Sequence, residues 1–80
     1  MDAYMGSMML FAGNYAPYNW MECDGQRMMI AQNQALFSIL GTTYGGDGLE
    51  TYMLPDMRKQ SLPTGLRWII CVAGPYPSRS

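Results

Sequence analysis

Four glycines fall within eight residues at Gly41-Thr42-Thr43-Tyr44-Gly45-Gly46-Asp47-Gly48. That density calls for backbone angles that side chains forbid, so the chain must fold around an irregular turn. A phosphate loop needs Lys-Ser or Lys-Thr after its last glycine and a strand before its first, and neither is present. A calcium loop needs several alternating oxygen ligands, and Asp47 stands nearly alone. Gly45, Gly46, Asp47 and Gly48 therefore read as residues that hold a shape, not a ligand.

The segments on either side fit the same reading. Before the loop, Leu36, Ile39 and Leu40 recur at helical spacing, and Ala35 and Phe37 widen their face. Asn33 is the best candidate N-cap, and Gly41 stands where a left-handed residue ends a helix. The helix is about two turns long, too short to persist without tertiary packing. After the loop comes Leu54-Pro55-Asp56-Met57-Arg58. Pro55 pushes Leu54 into an extended conformation, so a short strand should end there. Asp56 can accept from amides just ahead of it. Arg58 can fork onto Asp47 or Asp56, or remain solvated.

The remaining segments read mostly as strands. Gly6–Ala12 alternates, with Met8, Leu10 and Ala12 against Met9 and Phe11, and is apolar on both faces. Gly13–Asn19 is a loop whose Tyr15 and Tyr18 could stack on a sugar or a partner, or cover a sheet edge. Asp24-Gly25 between Trp20–Cys23 and Gln26–Met29 predicts a hairpin. Trp20 is expected to pack on Leu36 and Leu40; an exposed Trp20 would point to a binding surface. Lys59–Gly65 is a connecting loop. Leu66–Ala73 is the strongest strand, with Trp68, Ile70 and Val72 on one face and Ile69, Cys71 and Ala73 on the other, so it should be central or interfacial. Met1–Tyr4 reads as a loose start, and Pro75 and Pro77 keep the tail Gly74–Ser80 extended. Together these segments predict one compact α+β domain over residues 1–80: a small mixed sheet of short strands, one short helix and long ordered loops.

Composition decides what such a small domain can do alone. Only 14% of residues are charged and 49% are hydrophobic, with nine methionines in 80 residues, against about 25% charged in ordinary soluble domains. A chain this short buries only about 60% of its unfolded surface. Part of its exterior should therefore be covered by other chains, and a homo-oligomer follows. Trp68 is expected in the core or in that interface. Five basic and six acidic residues without a run of either sign argue against nucleic acid. No apolar run approaches the ~20 residues of a spanning helix, and no signal peptide is recognisable. Cys23 and Cys71 without any histidine make no ordinary zinc site, and both are expected to be free thiols in apolar strands. No nucleophile with a base and no cofactor motif is present, so an enzyme ranks last and no cofactor or metal is expected.

Several segments together resemble the phage tail collar domain, the module shared by tail-fibre proteins and microcystin-dependent proteins. They are Leu10–Pro17, the Cys23-Asp24-Gly25-Gln26 run after Trp20, Gln32–Gly48 and Leu54–Arg58, and the ending Trp68–Arg79 is similar to the terminal segment of longer members. Ala31 stands where many relatives have serine. Only Lys59–Leu66 fills the place of their long variable segment, so this is a compact form. The resemblance implies a structural protein of a phage or phage-like tail, an attachment or capping module of fibre or baseplate that offers a docking surface. It also implies a location in the virion tail, assembly in the host cytoplasm and a homotrimer, since tail fibres and collar modules are typically three-fold. The alternative is a tip that binds a host receptor or surface glycan, with Tyr15, Tyr18, Tyr44 and Tyr76 as stacking residues. Tyrosines clustered in an exposed groove would favour the tip.

Overall fold

A computed structural model describes residues 3–59 and 62–78. Met1 and Asp2 of the expected loose start, Gln60 and Ser61 of the connecting loop, and Arg79 and Ser80 of the tail lie outside the described residues. The strands are β1 Met8–Phe11, β2 Trp20–Glu22, β3 Arg27–Met29, β4 Thr51–Met53 and β5 Arg67–Cys71; one helix, α1, spans Gln34–Leu40 after a 3-10 turn at Ile30–Gln32. The α+β architecture of short strands with one short helix is the expected one. Its pairing is antiparallel throughout, and it falls into two sheets where one mixed sheet was expected: three strands in the order β1-β5-β2, and the pair β3-β4.

β5 is the central strand, as its two apolar faces require. Met8 lies opposite Ile70 on β1, and Met21 opposite Ile70 on β2. Because side chains alternate, Met8, Met21, Trp68, Ile70 and Val72 share one face. That face packs on Cys23, Met28, Leu36, Tyr52 and Leu54, which form the core with Ile70. Phe37 stacks on Tyr52 with ring centroids 5.3 Å apart, tying α1 to the second sheet.

The expected hairpin at Asp24-Gly25 does not form. β2 joins the first sheet and β3 the second, so the dipeptide links sheets instead of closing a pair. The backbone groups that would close a hairpin bond elsewhere. Gly25 N–H donates to the Pro55 carbonyl at 3.2 Å, Met57 N–H to Cys23 at 2.9 Å and Leu54 N–H to Gln26 at 3.1 Å. Asp24 bridges to Asp56, and its Oδ1 accepts from Gln26 N–H at 3.1 Å. The Leu54–Arg58 corner thus replaces the missing partner strand, with Leu54 and Pro55 fully buried.

Trp20 also departs from expectation. It lies opposite Cys71, one residue out of phase with Ile70, so it points away from α1. Met21 takes the core side. The helix ends at Gly41 with positive φ, as the sequence predicts, but at φ +58° and ψ −148° the residue lies outside the left-handed helical region, and Asn33 does not cap with its side chain. Asn33 instead donates Nδ2–H to the Met29 carbonyl at 3.0 Å, fastening the 3-10 turn. Cys23 and Cys71 are free and buried, and burial beside Asp24 and Glu22 pushes the Cys23 thiol up to about 11.

Candidate docking surface

The glycine-rich loop is organised from within. Asp47 Oδ1 accepts from the backbone N–H groups of Leu49, Glu50 and Thr51 at 2.9, 2.9 and 3.0 Å. These bonds hold its carboxyl down near 2. Gly48 N–H donates to the Thr51 carbonyl, and Gly45 exchanges backbone bonds with Thr42 and Met53. Gly45, Gly46 and Gly48 all have positive φ. At Gly46 an added methyl would stand 2.4 Å from Tyr52 Cα, so the loop needs both the angle and the absent side chain. Among the described residues no group of three or more His, Cys, Asp or Glu is placed to hold a metal ion.

At the corner, Arg58 forks onto Asp56: Nε to Oδ1 at 2.9 Å and Nη2 to Oδ2 at 2.7 Å. The choice the sequence left open falls to Asp56 because the two residues are neighbours on one turn, whereas the Asp47 carboxylate is engaged by its own loop. The guanidinium holds the Asp56 carboxyl near 2. A second ion pair escaped sequence reasoning: Arg67 Nη1 donates to Glu22 Oε1 at 2.7 Å across 45 residues. Glu22 lies opposite Ile69, so the two side chains meet diagonally across the β2–β5 pair. Only the pairing of β2 with β5 would have revealed it. Glu22, Arg58, Arg67 and Trp68 line a cleft of about 310 Å³. Both arginines there already hold carboxylates, which makes the cleft a poor anion site.

The side of the β1-β5-β2 sheet away from the core has a different character. Met9, Trp20 and Cys71 line a groove of about 470 Å³ with Tyr18, Ala73 and Pro75. Met9 is 42% exposed, Tyr18 92% and Tyr15, in the same loop as Tyr18, 73%. Residues 3–21 carry no charged side chain, and neither do residues 68–78. Among the described residues no charged side chain lines the groove, but Asn19 and backbone polar groups share its wall with the apolar side chains, and the Glu22–Arg67 pair lies farther along the same face, with Ile69 buried between.

The other two tyrosines are elsewhere. Tyr44 is exposed in the glycine-rich loop. The Tyr76 hydroxyl meets Ser38 Oγ on α1, and because that hydroxyl donates to the Ala35 carbonyl, Tyr76 is the donor. Tyr15 and Tyr18 share a loop, while Tyr44 and Tyr76 belong to other parts of the molecule. Trp68 is half-buried against the core. Among the described residues no helix is long and apolar enough to cross a membrane.

A search of curated proteins returned no significant match. The family model of the phage tail collar domain matches residues 6–62. That span holds β1–β4, α1, the glycine-rich loop and the Leu54–Arg58 corner, and stops short of β5, the strand that joins β1 to β2. With most of its length matched, the chain belongs to the phage tail collar domain family, a structural module of phage tails.

Proposed function

We propose that this protein is an attachment or capping module of the tail fibre or baseplate, and that it works by docking, not by catalysis. One observation carries the reading: a groove on the outer face of the central sheet, lined by no charged side chain among the described residues, where Met9 and Tyr18 are exposed and Trp20 is half-buried. Large apolar side chains exposed together around polar groups in this way mark protein contacts. The occupant is another tail protein or a further copy of the chain. Three-fold association follows the family resemblance, and assembly would take place in the host cytoplasm before the tail is complete.

The glycan-binding tip has less support. Sugar sites combine an aromatic face with converging polar groups. Tyr18 shares its groove with Asn19 as its one polar side chain other than Cys71, beside Met9, Trp20, alanines and Pro75.

The test is a Met9→Asp variant made in a host that produces the tails. The variant should fold alone, because Met9 is outside the core, yet be missing from purified tail particles. Normal incorporation, together with glycan binding by the wild type that is lost on Tyr15→Ala or Tyr18→Ala, would replace the docking reading with the tip.

A further inference from the structure

We propose that the open edge of β1 pairs, antiparallel and about a two-fold axis, with β1 of a second copy of this chain. The inference deepens the docking reading and rests on it in one respect, that identical copies associate.

The hydrogen-bond phase of β1 identifies the free groups. Cys71 N–H donates to the Ser7 carbonyl, and Met9 and Phe11 lie opposite Ile69 and Arg67. The Ser7 carbonyl and the amides and carbonyls of residues 9 and 11 therefore turn toward β5, while the Ser7 amide bonds to the Tyr4 carbonyl. Met8 and Leu10 turn theirs outward, at the end of the sheet order, where no strand lies among the described residues. Leu10 is 40% exposed and Ala12 is exposed. An unpaired row of this kind accepts an extended strand.

The absence of charge favours a second copy as the occupant. Edge strands are usually kept apart by lysine, proline or an inward charge. β1 reads Met-Met-Leu-Phe and sits within the uncharged residues 3–21. Two identical edges thus meet without like charges in opposition, the usual obstacle to self-pairing. With the axis at Leu10, Leu10 faces its own copy and Met8 faces Ala12, so every outward amide meets an outward carbonyl. A two-fold perpendicular to the sheet keeps Met9 and Trp20 of both copies on one side, making a continuous six-stranded floor. The contact is distinct from a three-fold ring: it joins copies in pairs, or two rings face to face.

Leu10→Pro tests the pairing. The change removes an outward N–H that β5 does not use, and edge strands tolerate proline at such positions. Light scattering of the wild type at tens of micromolar should give an even number of chains, two or six. The variant should fall to one or three, with the dissociation constant of the pairwise contact raised about ten-fold or more. Hydrogen exchange on the wild type gives a second reading that does not depend on the variant folding. The Met8 and Leu10 amides should be protected at high concentration and exchange faster on dilution. An odd number of chains in the wild type, an unchanged mass in a folded variant, or exchange at Met8 and Leu10 that ignores concentration would each overturn the pairing. A wild-type trimer would overturn it while leaving association of identical copies intact, and a monomer would remove both.

Discussion

The glycine-rich loop allows a quantitative test between two of its own glycines. At Gly46, φ is +99°, and an added Cβ would stand 2.4 Å from Tyr52 Cα, 2.6 Å from the Thr51 carbonyl oxygen and 2.9 Å from Tyr52 N. All three are backbone atoms of β4, which cannot rotate aside as a side-chain tip would. At Gly41, φ is +58° and an added Cβ meets nothing within 4 Å. Gly41→Ala therefore incurs only the backbone penalty of φ +58° and ψ −148°, a region essentially confined to glycine, of about 1–3 kcal/mol, offset by about 0.4–1 kcal/mol from a stiffer unfolded chain. Its net cost is about 1–2 kcal/mol. Gly46→Ala carries the same terms and must also displace β4, adding about 1–3 kcal/mol as overpacking does. Against a total of about 4–12 kcal/mol for a domain of this size, the second variant loses a large share of its stability. Urea and thermal unfolding at one fixed protein concentration measure both. The melting temperature of Gly46→Ala should lie roughly 5–20 °C below that of Gly41→Ala. Equal losses would refute the steric argument. Normal stability in both, with a lost ion or partner, would make the loop a binding site after all.

Acid should loosen the same loop. Asp47 is held near 2, below its ordinary 3.8, by the backbone donors of residues 49–51. A carboxylate with a depressed folded-state pKa adds stability above the unfolded value and loses it as pH falls from about 4 through 2. Asp47→Asn should flatten the fall in melting temperature over that range, and an unchanged slope would show that the loop does not depend on the charge. Tyr52 is fully buried and its hydroxyl has no hydrogen-bond partner among the described residues, so Tyr52→Phe should leave stability unchanged or raise it by about 1 kcal/mol. A loss of more than about 1 kcal/mol in urea unfolding would mean that the hydroxyl is bonded.

The parts of the fold legible in the sequence are those set by local chemistry. Helix spacing placed α1, Gly41 ended it, alternation gave the two faces of β5, and Pro55 ended β4. The failures came where a long-range partner outweighed a local preference. Asp-Gly prefers a hairpin, but here the Leu54–Arg58 corner, some 30 residues away, takes the backbone bonds of the turn. Trp20 looked like a core anchor because of its size. Its face depends on register against β5, and a shift of one residue reverses it. The Glu22–Arg67 pair was invisible for the same reason. The docking surface was half legible: low charge and many methionines predicted an apolar exterior, while its position required knowing which strands are neighbours.

The route from the corner to β5 determines where this chain can be lengthened cheaply. Met57 and Arg58, before the connection, line the same cleft as Leu66 and Arg67, after it. Its two ends are therefore close together, and each is anchored independently. Asp56 and the Cys23 carbonyl hold the first end; Glu22 and the pairing of β5 with β1 and β2 hold the second. A loop whose ends already meet costs little to lengthen, about 0.6 kcal/mol for each doubling. Inserting about eight Gly/Ser residues between Gln60 and Ser61 roughly doubles the connection and leaves the Pro63–Leu66 turn in place, with its Leu66 N–H to Pro63 carbonyl bond of 3.2 Å. The loss in urea unfolding should be under about 1 kcal/mol, with an unchanged m-value. The same insertion between Gly45 and Gly46 would break the bond from Met53 N–H to the Gly45 carbonyl and separate Gly46 from β4, and should cost several times more. Equal costs would mean that the two ends are held apart by the connection itself and not by their own anchors. The compact connection of this chain would then be a structural necessity, where the geometry of the cleft makes it one permitted length among many.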